Sequence, residues 1–180
     1  MSYSAGRPSG VKTPNEDQWS DLQRFIGTAR QQPPTDFLLA VFAVISDPAK
    51  ITGAITRVKM EEEETVWKSW VATDSAVAHV AVSFGAAHYD RETESDPYYR
   101  HQPPSRTLLA GQVRPLRTLR QIEFSGIGRR SLNSGTYLVD ESTLTFEDGK
   151  SLTVPGQMDS HDQFDREAVD RFHEALRRNF

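Results

Sequence analysis

The segment Ser142–Arg178 constrains the fold more than any other part of the chain, because it joins a turn whose register can be deduced to a helix with one apolar face. Ser142–Pro155 reads as a β-hairpin turning at Glu147-Asp148-Gly149, and the loop length decides where its side chains go. A two-residue Asp148-Gly149 loop pairs Thr145 with Leu152 and sends Leu144 and Phe146 to the face opposite Leu152 and Val154. A three-residue loop with Gly149 left-handed pairs Leu144 with Leu152 and gathers Leu144, Phe146, Leu152 and Val154 on one face. Only the second arrangement builds an apolar face, so it is the one predicted. The helix Asp162–Arg178 follows, with Phe164, Ala168, Val169, Phe172, Ala175 and Leu176 in a single stripe. Its acids Asp162, Asp165, Glu167 and Asp170 precede Arg171, Arg177 and Arg178, the order that suits the helix dipole. Sheet plus terminal helix is therefore the expected core.

Upstream, Thr13-Pro14-Asn15-Glu16 has the form of a capping box, and Trp19, Leu22, Phe25, Ile26 and Ala29 then recur at helical spacing until Gln31-Gln32-Pro33-Pro34 stops the run. Phe37–Ile45 is apolar in every direction, so periodicity does not separate helix from strand, although Asp36 as a cap favours helix. Ile51–Met60 reads as a strand in which the direction of Ile55 is ambiguous. Thr65–Thr73 and Ala76–Phe84 read as a hairpin closed by Thr73-Asp74-Ser75. Gly85–Arg106 is polar, proline-punctuated and without a core pattern, and loops of that kind are functional or disordered. Removing His88–Gln102 is accordingly expected to leave the fold standing. Thr107–Val113 and Leu116–Phe124 are extended, with Leu116, Ile122 and Phe124 inward; Gly126-Ile127-Gly128 marks a turn, and Thr136–Val139 a short strand. The expected organisation is a tail (1–12), a helical extension (13–46), and an antiparallel β domain (47–180) containing the 85–106 loop and the 162–178 helix.

A chain of 180 residues suits one domain, and 37% hydrophobic with 26% charged residues is a globular composition. The formal charge of −4 argues against a surface that tracks nucleic acid or anionic lipid as a whole. With no cysteine there is no disulfide framework, thiol nucleophile or thiolate metal site. Met1–Lys12 lacks the apolar stretch of a secretory signal, and Phe37–Ile45, the longest apolar run, falls well short of the ~20 residues that span a bilayer. A soluble cytoplasmic protein without a membrane span is expected.

Several motifs together resemble the bacterial pleckstrin-homology-like (PH-like) domains: Trp70-Val-Ala-Thr-Asp74 leading into Ala76-Val-Ala-His-Val80, then Arg114-Pro-Leu-Arg-Thr-Leu-Arg-Gln-Ile-Glu-Phe124, Leu144-Thr-Phe-Glu-Asp-Gly149 and a closing helix. The resemblance covers about residues 51–178. It implies an α+β fold, an antiparallel, partly open β-barrel or curved sheet with a C-terminal capping helix, here carrying an N-terminal helical extension. It also implies a binding module rather than an enzyme. Lipid-binding members hold phosphates with basic residues between their first two strands. This chain has Glu61-Glu62-Glu63-Glu64 there, so inositol phosphate is not expected to bind.

The long loop concentrates the residues best suited to recognition. His88, Tyr89, Tyr98, Tyr99, Arg100 and His101 are the expected partner-binding set, since tyrosines supply large contact area with little rotamer entropy to lose. A different use of the same loop is a small-molecule pocket or enzyme relying on His88 or His101, with Asp90 orienting a histidine or joining it at a metal. Arg114, Arg117, Arg120, Arg129 and Arg130 form a basic cluster able to bind an anion or nucleic acid if the side chains converge. On a strand, Arg114 and Arg117 face opposite sides, as do Arg117 and Arg120, so spreading over both faces is the default. Aromatic residues are sparse within this patch, which further disfavours nucleic acid. Gly126-Ile127-Gly128-Arg129-Arg130-Ser131 lacks the helix a dinucleotide fingerprint needs and reads as a turn, and Ser125 sits in no nucleophile elbow. His173 reads as a boundary residue of the last helix. The sequence thus favours a non-enzymatic module without cofactor or metal that binds a protein or peptide through the 85–106 loop, an exposed sheet edge, or both. The Trp19/Phe25 helix packs either on its own sheet or on a second copy, the latter giving a homodimer.

Overall fold

The computed structural model describes residues 13–129, 137–157 and 163–178. The first two elements are α1 (Glu16–Ile26) and α2 (Thr35–Ile45), followed by the strands β1 (Ile51–Met60), β2 (Thr65–Thr73) and β3 (Ala76–Phe84). Two short helices, α3 (Arg91–Glu94) and α4 (Pro97–His101), precede β4 (Arg106–Pro115) and β5 (Leu119–Ser125). A ribbon of β6 (Gly128–Arg129) and β7 (Tyr137–Leu138), the strands β8 (Glu141–Phe146) and β9 (Ser151–Pro155), and α5 (Gln163–Arg177) complete the order. All pairings are antiparallel: β1-β2-β3-β4 form one sheet and β5-β8-β9 a second. The expected α+β fold of antiparallel strands and a C-terminal helix is present, but in place of a partly open barrel or single curved sheet the described strands form separate sheets that do not close into a barrel.

The final hairpin adopts the three-residue loop. Leu144 lies opposite Leu152, the Phe146 amide donates to the Lys150 carbonyl at 3.0 Å, and Gly149 takes φ +74°, a region that a side chain disfavours. Leu144, Phe146, Leu152 and Val154 are all buried and meet Val169, Phe172, Ala175 and Leu176 of α5. Phe164, in the first turn of that helix, departs from the stripe and is 42% exposed. At Gly53 the helix comes so close to β1 that an added Cβ would sit 2.7 Å from Cα of Phe172. His173 lies inside rather than at the boundary: its Nε2 is 2.8 Å from the buried Ser142 hydroxyl, and burial, reinforced by Arg177, holds its pKa down at about 4.

The opposite face of the four-stranded sheet carries a second core. Trp67 and Val71 of β2, with Ala78, Val80, Val82 and Phe84 of β3, pack under Leu22 and Ile26 of α1 and Phe37, Leu38, Val41 and Phe42 of α2. Trp70 and Ala72 alternate to the other side, where the Trp70 indole donates to the Thr153 carbonyl at 2.8 Å and ties the sheets together. The helical segment is therefore a full layer of the fold, and the apolar side of α1 is buried on its own sheet. Its box starts two residues later than Thr13: Asn15 accepts from the Gln18 amide at 2.9 Å while Gln18 Oε1 accepts from the Asn15 amide at 3.0 Å. A bulge between Ile51 and Gly53 reverses the alternation of β1, which is why Ile51 and Ala54 face the helices and Ile55 the second sheet.

The 85–106 segment is part of this architecture, contrary to the expectation that it is dispensable. Tyr89 is a core residue packed on Phe84 and Tyr99, and its carbonyl accepts from the buried Trp67 indole at 2.8 Å. Burial, then the nearby Glu94 carboxylate, pushes the Tyr89 hydroxyl pKa up. Asp90 is buried and caps α3 through the Glu92 and Thr93 amides. Asp36 does not cap α2; Glu94 does so from a distance, accepting from the Thr35 amide at 3.0 Å and its hydroxyl at 2.6 Å. Arg91 binds the Thr35 hydroxyl and lies over the Trp19 ring, pinning the loop to both helices.

Candidate functional site

The four-stranded sheet has two edges. That of β1 runs beneath α5, whereas along β4 the side chains of Leu108, Leu109 and Val113 are 61%, 55% and 48% exposed. Pairing through Val82 and Ala78 places Leu108 and Val113 on the helix-facing side of β4, and a bulge sets Leu109 between the pairs made by Leu108 and Ala110. Beside them lies the outer side of α2. After Asp36 this helix has no charged residue, so the side turned from the core, at Leu39 and Ala43, is apolar as well. Leu39, Ala40, Phe42 and Ala43 of α2, with Val82 and Leu108 of the sheet, line a groove of about 550 Å³ that also takes in the Arg106–Asp36 ion pair. Exposed leucines along an edge strand that no described strand pairs on its outer side, next to a partly exposed apolar helix face, are features typical of an interaction surface.

The other side of the same strand end is polar. A second groove, about 710 Å³, runs from Glu61–Glu64 in the β1–β2 turn past Ser83 and Gly85 to Ser105 and Thr107. Glu61, Glu62 and Glu63 are exposed, and Glu64 is partly covered and accepts from the Ser83 hydroxyl at 2.6 Å. Lys59 pairs with Glu61, which raises the pKa of the lysine.

The residues expected to bind a partner separate into core and surface. Tyr89 is enclosed, Tyr99 is half-buried against it, and Tyr98, Arg100, His101 and His88 are exposed. His88 Nε2 approaches Asp90 Oδ2 at 3.3 Å, while its Nδ1 faces Met60 Sδ at 3.1 Å. Neither groove beside β4 is lined by a histidine, and among the described residues no group of three histidine, aspartate or glutamate side chains converges to hold a metal.

Two arginines of the basic cluster are matched by the turn acids of the last hairpin. Arg114 donates to both carboxylate oxygens of Asp148 at 3.1 Å and lies over Phe146, and its hydrogen bond holds the Asp148 pKa below the ordinary range. Arg120 pairs with Glu147, whereas Arg117 is exposed without an ion pair among the described residues. For Arg129 only the backbone pairing with Tyr137 is described, and Arg130 lies outside the described residues. No described helix is long and apolar enough to cross a membrane.

Sequence reasoning named an exposed edge but not its residues. The signal was Leu108-Leu109-Ala110: adjacent leucines cannot both face one side of a regular strand, so at least one has to leave the core. Compared with known proteins, the chain matches no family model, no curated protein and no solved structure.

Proposed function

We propose that this protein is a non-enzymatic, PH-like binding module that takes up a protein or peptide segment at β4 and the adjoining face of α2. The observation that carries the reading is an edge that no described strand pairs, ten residues of strand with Leu108, Leu109 and Val113 exposed beside an apolar helix face. Support for the PH-like assignment comes from the element order, two antiparallel sheets followed by a helix that seals the core between them. Tyr98, Arg100 and His101 lie on α4, in the segment leading into β4, and can extend the contact. The four glutamates of the β1–β2 turn keep inositol phosphates out of the account.

The test is selection from a displayed library of random peptides against the native chain and Leu108→Glu. Peptides enriched on the native protein and lost on the variant, with unchanged melting temperature, are the expected result. Enrichment on neither protein, or equally on both, contradicts this site.

A further inference from the structure

The β4 edge divides two chemistries. A strand added beside it would turn successive side chains to opposite faces of the sheet. On one face the neighbours are Leu39, Ala43 and Leu108; on the other the groove leads from Thr107 to four carboxylates. An apolar side chain on the first face gains burial, whereas on the second a cation is favoured and an anion repelled. Lysine and arginine carry their charge on long stems, and Glu64 extends toward them over β3, where it accepts from the Ser83 hydroxyl.

We propose that the segment taken up at β4 is an extended one in which apolar residues alternate with lysine or arginine, an inference that rests on the docking reading above. A second copy of the chain fits less well. The cations that its own β4 would bring, Arg106 and Arg114, are already engaged by Asp36 and Asp148, leaving Glu62 and Glu63 with no ion pair among the described residues. Nucleic acids and anionic membranes are repelled by the same carboxylates.

The experiment is calorimetric titration of the full chain with synthetic decapeptides of alternating Val/Lys, Val/Glu and Ser/Lys, at low and at moderate salt. The Val/Lys peptide is expected to bind, the other two at least about tenfold more weakly. Its affinity should fall with salt. The variant Glu61→Gln/Glu62→Gln/Glu63→Gln, which keeps the Glu64–Ser83 bond, is expected to lose about tenfold for Val/Lys, and Leu108→Glu to abolish binding. Equal affinity for Val/Lys and Val/Glu, or no loss on neutralising the glutamates, overturns the inference while Leu108 dependence leaves the docking reading intact. Equal binding of Ser/Lys reduces the effect to charge attraction and overturns it too. If no peptide binds, or Leu108→Glu changes nothing, both fall together. A dimer by light scattering that Leu108→Glu dissolves replaces the peptide by a second copy.

Discussion

The two edges of the four-stranded sheet are made from strands of the same length, ten residues, yet β1 is buried at half of its positions and β4 is exposed or half-exposed throughout. The difference comes from what the chain lays over each. α5 approaches β1 closely enough that residue 53 has to be glycine-like, and the seam is filled by Phe172 and Leu176. Along β4 the neighbour on one side is α2, whose Leu39 is only half-buried and whose Ala43 is exposed. One edge lies under the terminal helix, and the other is the proposed site of recognition. Mutations at matched positions on the two edges should then have opposite weight in stability and in binding.

The largest contrast is expected between Phe172→Ala and Leu108→Ala. Emptying the fully buried Phe172 site should cost about 4 kcal/mol in urea unfolding, while the exposed Leu108 change should stay within about 0.5 kcal/mol. Comparable losses at both sites would erase the distinction.

Next comes acid. His173 is neutral in the folded protein with a pKa of about 4, below its unfolded value near 6.5, so the unfolded chain binds the extra proton between those limits. The stability it supports is complete above pH 6.5 and declines as pH falls toward 4, by about 3 kcal/mol in all. Burial is the main cause and Arg177 adds to it, while Asp170 acts in the opposite direction. Unfolding measured against pH should lose this slope in His173→Gln; an unchanged slope would assign it elsewhere.

Smaller again is the glycine pair. Gly53→Ala sets a methyl against the α5 backbone and should cost about 2 kcal/mol, whereas at Gly111 the nearest atoms are Leu108 side-chain carbons at 3.5 Å and Gly111→Ala should be neutral or slightly stabilising. A melting curve for each variant decides it. Glu94→Gln, which weakens the cap on α2, should cost about 1 kcal/mol. Arg120→Ala, removing an exposed pair with Glu147, should cost less than about 0.5 kcal/mol, and a larger value there would mean that the arginines stabilise the hairpin turn more than their exposure implies.

What could be read from the residues follows from the range of the interactions. The Leu144–Leu152 register was legible because the two candidate turns send four side chains to different faces, and the β2–β3 hairpin because Val and Trp alternate around a short polar turn. The helical layer was only half legible: the α1 stripe shows one face, but α2 has no period, and nothing local says which side meets Trp67. The long loop misled because its anchors are single residues. Tyr89 and Glu94 act through Trp67 and Thr35, 22 and 59 positions away, and no pattern within the loop reveals such bonds. The arginine cluster likewise showed its cations but not Glu147 and Asp148, which the hairpin brings to them.

Amide hydrogen exchange, resolved by residue in dilute protein, tests most directly whether β4 is an open edge beside a closed one. The account predicts slow exchange over the buried stretch Gly53–Thr56 of β1, fast exchange at those amides of Arg106–Arg114 not bonded to β3, and new protection there on adding the Val/Lys decapeptide. Protection of β4 equal to that of β1 in the free, monomeric chain would contradict it.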